Sequence, residues 1–260
     1  MRYYRHILAV FLLLAVIVLP VSCDKSNGDG NGNNRAAIID QLYLREPNPD
    51  FIAEATRILE SSGFAVDVWQ GGDITVDFYR KLPSLGYRLI ILRVHSGLLL
   101  EMEGDKVVAL DNTYLFTGEN YTTTRYITEQ LTDKVSNAMM EENYPLVFAV
   151  NSEFIRGTKG TFDRTVVLAM GCESYHYDDL PLAFIEKGAL AYIGWNDIVT
   201  LEHVDRVTLD LLDNLCTGNM TIAQAISGTM ANLGHDPYFN SYLKFYPEDT
   251  GSRTVKELLR

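Results

Sequence analysis

Apolar positions along this chain fall into short, nearly unbroken runs, separated by stretches in which they recur at helical spacing. One run, Leu89-Ile90-Ile91-Leu92-Arg93-Val94, stops at His95-Ser96-Gly97. A second, Val166-Val167-Leu168-Ala169-Met170, stops at Gly171-Cys172-Glu173-Ser174. Runs of this length bounded by turn formers read as strands covered on both faces, which points to a parallel sheet. Reactive groups in such sheets gather beyond the carboxyl ends of the strands. Were these two strands neighbours, an imidazole and a thiol would share one rim.

The rest of the pattern supplies the frame. A strand over 36–44 is broken by Pro47 and Pro49, and Phe51, Ala55, Ile58 and Leu59 then recur at helical spacing until Gly63. A strand over 64–69, a helix over 74–82 and the strand into His95 complete a strand-helix-strand-helix-strand opening. That alternation predicts right-handed crossovers and an α/β fold, a three-layer, doubly wound, mostly parallel sheet. After Gly97, the segments 98–102 and 106–110 flank Glu103-Gly104-Asp105 and predict a β-hairpin inserted behind the third strand, with 114–116 adding to it. The spacing of Ile127, Leu131, Val135 and Met139 predicts a helix over 127–140, followed by a strand over 145–150 and a loop bearing Gly157 and Gly160. Beyond Cys172 come a helix over 180–187, a strand over 190–194, helices over 204–215 and 222–232, and a last strand over 242–246.

Composition sharpens this in three ways. With 260 residues, 47% of them hydrophobic, the chain can bury one good core, expected as a single domain over 36–260. A net charge of -12 leaves no basic stripe for phosphates, so nucleic acid is excluded as a partner. At the amino end, Arg2 and Arg5 precede an apolar run over 7–19 and then Pro20-Val21-Ser22-Cys23. The run is short for a membrane span and has the layout of a secretory signal, residues 1–23. Ser22-Cys23 resembles a bacterial lipobox, which implies a lipid on Cys23, export, and anchoring to the outer face of the cell membrane. Residues 24–35 contain no hydrophobic side chain and read as a flexible linker.

Cys172 and Cys216 then remain. Cys172 ends a strand and Cys216 ends an amphipathic run before Gly218, so a disulfide between them is disfavoured. No histidine has a partner at metal-ligand spacing, and neither metal nor cofactor is expected. A cysteine in an apolar strand is most often a small core residue. A second strand ending in histidine shifts the weight toward a nucleophile, because a thiol becomes reactive beside an imidazole. His95 is the favoured partner; His176, four residues past Cys172, is the competitor.

Taken together, a strand ending in histidine near glycine, a hairpin, and a strand ending in Met170-Gly171-Cys172-Glu173-Ser174 resemble the caspase, legumain, gingipain and separase clan of cysteine peptidases, closest to its separase-like and CHAT branch. Lys187-Gly188-Ala189-Leu190-Ala191-Tyr192-Ile193-Gly194-Trp195 is similar to that branch's glycine-alanine, apolar strand, tryptophan series. Asp205-Arg206 and Met220-Thr221-Ile222-Ala223-Gln224-Ala225-Ile226 are similar to its closing helices. The resemblance implies a caspase-like fold and hydrolysis of peptide bonds in a peptide or protein substrate. Cys172 would be the nucleophile and His95 the group that protonates the leaving amine. The N–H of Cys172 and the N–H following the histidine, from Ser96 or Gly97, would hold the oxyanion. Ser96 stands where the family has glycine, with Gly97 one place later. The segment Trp195-Asn196-Asp197 would line the substrate pocket, Asp197 favouring Arg or Lys before the cleaved bond, with Asp178 and Asp179 as competing acids. A rival reading is a catalytically silent surface module that binds a protein or peptide. A transport-type ligand-binding lipoprotein is disfavoured because too few residues remain for two lobes.

Overall fold

Both key apolar runs lie at the centre of a six-stranded sheet. The computed structural model describes residues 34–103, 106–140 and 143–260, with backbone alone over 100–103 and 106–111. The expected signal, Cys23 and nearly all of the linker lie outside the described residues, and those described belong to one unit.

The chain begins with β1 (Arg35–Asp40), α1 (Pro49–Ser61), β2 (Ala65–Gln70), α2 (Val76–Lys81) and β3 (Leu89–Arg93). A second, antiparallel sheet follows, built from β4 (Ser96–Glu103), β5 (Lys106–Asn120), β6 (Val135–Ala138) and β7 (Val147–Asn151), with the short α3 (Ile127–Leu131) between β5 and β6. After α4 (Ser152–Gly157), the chain returns to the main sheet through β8 (Thr165–Ala169), α5 (Asp179–Glu186) and β9 (Ala189–Trp195). It closes with α6 (Leu201–Cys216), α7 (Ile222–Leu233), β10 (Leu243–Tyr246) and α8 (Val255–Leu258). The main sheet runs β10-β9-β8-β3-β1-β2, all parallel except β10, which is antiparallel to β9. The protein is thus α/β, with a mixed, mostly parallel sheet.

Side-chain alternation divides the core. Ile38, Ile91, Leu168 and Ile193 point to one face and pack with residues of α1, α6, α7 and α8. Ile39, Ile90, Leu92 and Val167 point to the other and pack with α2, α4, α5 and β7. Every residue of β3 and β8 is buried, as strands covered on both faces require. The second sheet is tied to the connection between β2 and α2 at Gly118, whose N–H donates to Ile74 O at 2.7 Å. A Cβ at Gly118 would stand 2.0 Å from Gly71 O, so only glycine admits this approach.

Three elements differ from the expected ones. The strand over 36–44 stops at Asp40 and turns into a 3-10 turn, Gln41–Leu44, because Asp40 and Gln41 spend their side chains on β3 and the His95 backbone. The helix over 127–140 is only Ile127–Leu131. Asp133 adopts φ +55 and Val135 turns inward as part of β6, opposite Val150. The stretch around Gly157 is helical, because Asn151 accepts the Phe154 N–H and caps α4. Among the described residues, no helix is long and apolar enough to cross a membrane.

Candidate functional site

The site follows from a strand register. β3 pairs in parallel with β8, Leu92 opposite Ala169, and Met170 N–H donates to Leu92 O at 2.9 Å. His95 and Cys172 each lie three residues past that last pair, at the same carboxyl rim. They line one cleft of about 240 Å³, with Met170, Gly171, Val199 and Val204 among its walls. Both are partly exposed. The cleft is smaller than a typical cavity for a whole ligand, which spans roughly 300–1,000 Å³.

Two loops are clamped at this rim. Ser96 Oγ donates to Cys172 O at 2.5 Å, so its hydroxyl binds the loop after β8. Gly171 leaves room for it: a Cβ there would lie 2.1 Å from Ser96 Oγ and 2.6 Å from Val94 O. Glu173, at φ +56, reaches back across the rim and accepts the Leu98 N–H on Oε2 at 3.2 Å. Its carboxylate also lies 3.7 Å from where a Gly97 Cβ would be, so negative charge stands beside the stretch expected to hold an oxyanion.

Burial governs the protonation states. It pushes the His95 imidazole down to about 4, helped by the Arg45 and Arg93 cations. It pushes the Cys172 thiol up, helped by the Glu173 and Asp236 carboxylates. The S–H donates to Val199 O at 3.5 Å. At neutral pH His95 is therefore a neutral imidazole and Cys172 a thiol. Cys216 is a second free thiol, also driven up by burial, to about 12, at the far end of α6.

Beneath His95 lies a charge network that the sequence pattern did not reveal. Arg93 is completely buried; Nε and Nη2 bond Asp205 at 2.9 and 3.0 Å, and Nη1 bonds Asp40 at 2.7 Å. Asn48, the cap of α1, donates to Asp205 Oδ2 at 2.8 Å. Gln41 Oε1 accepts the His95 backbone N–H at 3.0 Å. The available signal was polar: Asp40-Gln41 interrupts an apolar run just where a strand reaches the rim, and Arg93 sits inside another.

The expected pocket segment divides by role. Trp195 is 1% exposed and gives its ring to the core. Asn196 is bound to Tyr242 through both its backbone N–H and its side-chain oxygen. Asp197 does stand at the rim, its carbonyl accepting the Glu173 N–H at 3.1 Å. Asp179 is occupied elsewhere, accepting the Thr113 N–H at 3.0 Å at the start of α5. His176 places Nδ1 2.9 Å from Asn196 O. Sequence spacing gave no metal-like set, yet ligand atoms of Glu173, His176 and Asp197 lie within 4.8 Å of one another, the one set among the described residues close enough to hold a cation.

Compared with family models and with curated proteins, the chain matches none.

Proposed function

We propose that the chain is a cysteine endopeptidase with a caspase-like fold, β4 and β5 forming the hairpin inserted behind the third strand. The observation that carries this reading is the β3–β8 pairing, which supports a His95–Cys172 dyad in one cleft. On substrate binding, His95 takes the thiol proton as sulfur bonds to the scissile carbonyl carbon. The C–N bond then breaks, the proton passes to the departing amine, and a thioester remains. Water attacks the thioester with His95 again as base, freeing the acid and restoring the thiol. Asp197, with Glu173 beside it, favours Arg or Lys before the cleaved bond. In this reading the chain is exported and held at the outer face of the membrane by a lipid on Cys23.

A test is hydrolysis of peptidyl-arginine aminomethylcoumarin by the purified full chain. Cys172→Ala should abolish turnover with an unchanged far-UV circular dichroism spectrum, and His95→Ala should nearly do so. Hydrolysis surviving Cys172→Ala overturns the reading.

The buried, high-pKa thiol favours one rival, a catalytically silent module that binds a peptide or protein. A peptidyl acyloxymethyl ketone separates the two: a Cys172 adduct supports the peptidase, and its absence supports the silent module.

A further inference from the structure

Strand order fixes the sequence of groups along the rim. From β9 to β1 it reads Asp197, then Cys172, then His95, then the turn beginning at Gln41. The proton that His95 carries must reach the leaving nitrogen, so the chain beyond the scissile bond has to run past His95 toward β1. A second cavity of about 520 Å³ opens on that side. Glu46 lines both this cavity and the dyad cleft, and Gln41, which holds the His95 N–H, is in its wall.

We infer that this cavity is the subsite for the leaving segment of the substrate and that it selects a large apolar side chain in the first or second residue after the cleaved bond. The inference rests on the dyad reading above. Adjacent strands are about 4.8 Å apart and an extended chain advances about 3.4 Å per residue, so the step from His95 to β1 is one or two residues. Leu44 and Tyr144 form its apolar wall and are 62% and 51% exposed, a large uncovered area for side chains of this kind. Met140 and Pro145 extend that wall, and the Arg45 guanidinium sits 3.2 Å above the Tyr144 ring. Asn120 and Glu46 give the cavity a polar edge suited to the hydrogen bonds of a peptide backbone.

The test uses internally quenched peptides that are identical before the scissile arginine and carry Leu-Phe or Gly-Gly after it. The full chain should cleave the Leu-Phe peptide with kcat/KM at least about ten-fold higher. Tyr144→Ala and Leu44→Ser should each erase most of that preference while leaving peptidyl-arginine aminomethylcoumarin, which has no peptide beyond the bond, cleaved as before. Coumarin turnover without any Leu-Phe preference, or a preference that survives both substitutions, overturns the subsite and leaves the dyad standing. Loss of coumarin turnover in the unsubstituted chain counts against the dyad instead. The subsite is then read by fluorescence polarisation of a labelled Leu-Phe-started peptide on the Cys172→Ala chain. Saturable binding weakened about ten-fold by Tyr144→Ala supports the subsite, and no saturable binding overturns it.

Discussion

Ser96 Oγ binds the carbonyl of Cys172 at 2.5 Å, through the space that the missing side chain of Gly171 leaves open. The loops after β3 and β8 are therefore fitted to each other, and the serine is part of the fit. Gly171→Ala should destabilise the fold by about 1–3 kcal/mol through overpacking. Adding Ser96→Gly should recover only part of this, because Val94 O also stands 2.6 Å from the new methyl. Urea unfolding of the two single variants and the double variant checks it; full recovery would mean that the backbone yields.

Arg93 is the most consequential buried charge. Arg93→Met removes the partner of both Asp40 and Asp205 and leaves two carboxylates facing each other in the interior. Burial already pushes Asp40 above the usual carboxylate range, against the pull of Arg93. A loss of about 3–5 kcal/mol is expected, measured by chemical denaturation at pH 7. A change below about 1 kcal/mol would mean that the network is dispensable.

His95 should give the protein an acid-labile component. Its folded value of about 4 lies below the ordinary 6.5, so between those values the unfolded chain binds a proton that the folded chain does not. This contribution to stability is complete above about pH 6.5 and falls away as pH drops toward 4, by roughly 3 kcal/mol. His95→Gln should flatten the stability profile across that window and leave it parallel to the unsubstituted protein above pH 7. Identical slopes would place the titration elsewhere.

Glu173 adds negative charge beside the sulfur and helps to hold the thiol up. Glu173→Gln keeps an acceptor for the Leu98 N–H while removing that charge. The midpoint of Cys172 alkylation by iodoacetamide should then move to lower pH. A midpoint that stays in place would show that the Glu173 charge does not help to set it.

Much of this architecture was legible because β3 and β8 are buried on both faces and so read as continuous apolar runs. The helices with a clear apolar stripe, such as α1 and α6, were legible for the same reason, and their boundaries fell within a few residues. The helix expected over 127–140 failed because Val135 and Met139 fit its spacing by chance, while the sheet offered Val135 a buried place opposite Val150. At the site, His95 and Cys172 stood out as polar ends of apolar runs. Asp40, Gln41 and Arg93 did not, since their pairing depends on side chains brought together from distant segments. Asp197 stood out as a charge just past a strand, whereas the burial of Trp195 and the ties of Asn196 to Tyr242 become visible only when β10 docks against β9.

The two halves of the rim are joined by inter-strand bonds between β3 and β8 rather than by the polypeptide that loops between them. Covalent continuity between Leu98 and Thr165 is therefore not what holds the end of β3 next to the end of β8. A chain nicked in that interval would retain an assembled cleft, its fragments remaining together as a two-piece protein for as long as the central strands stay paired.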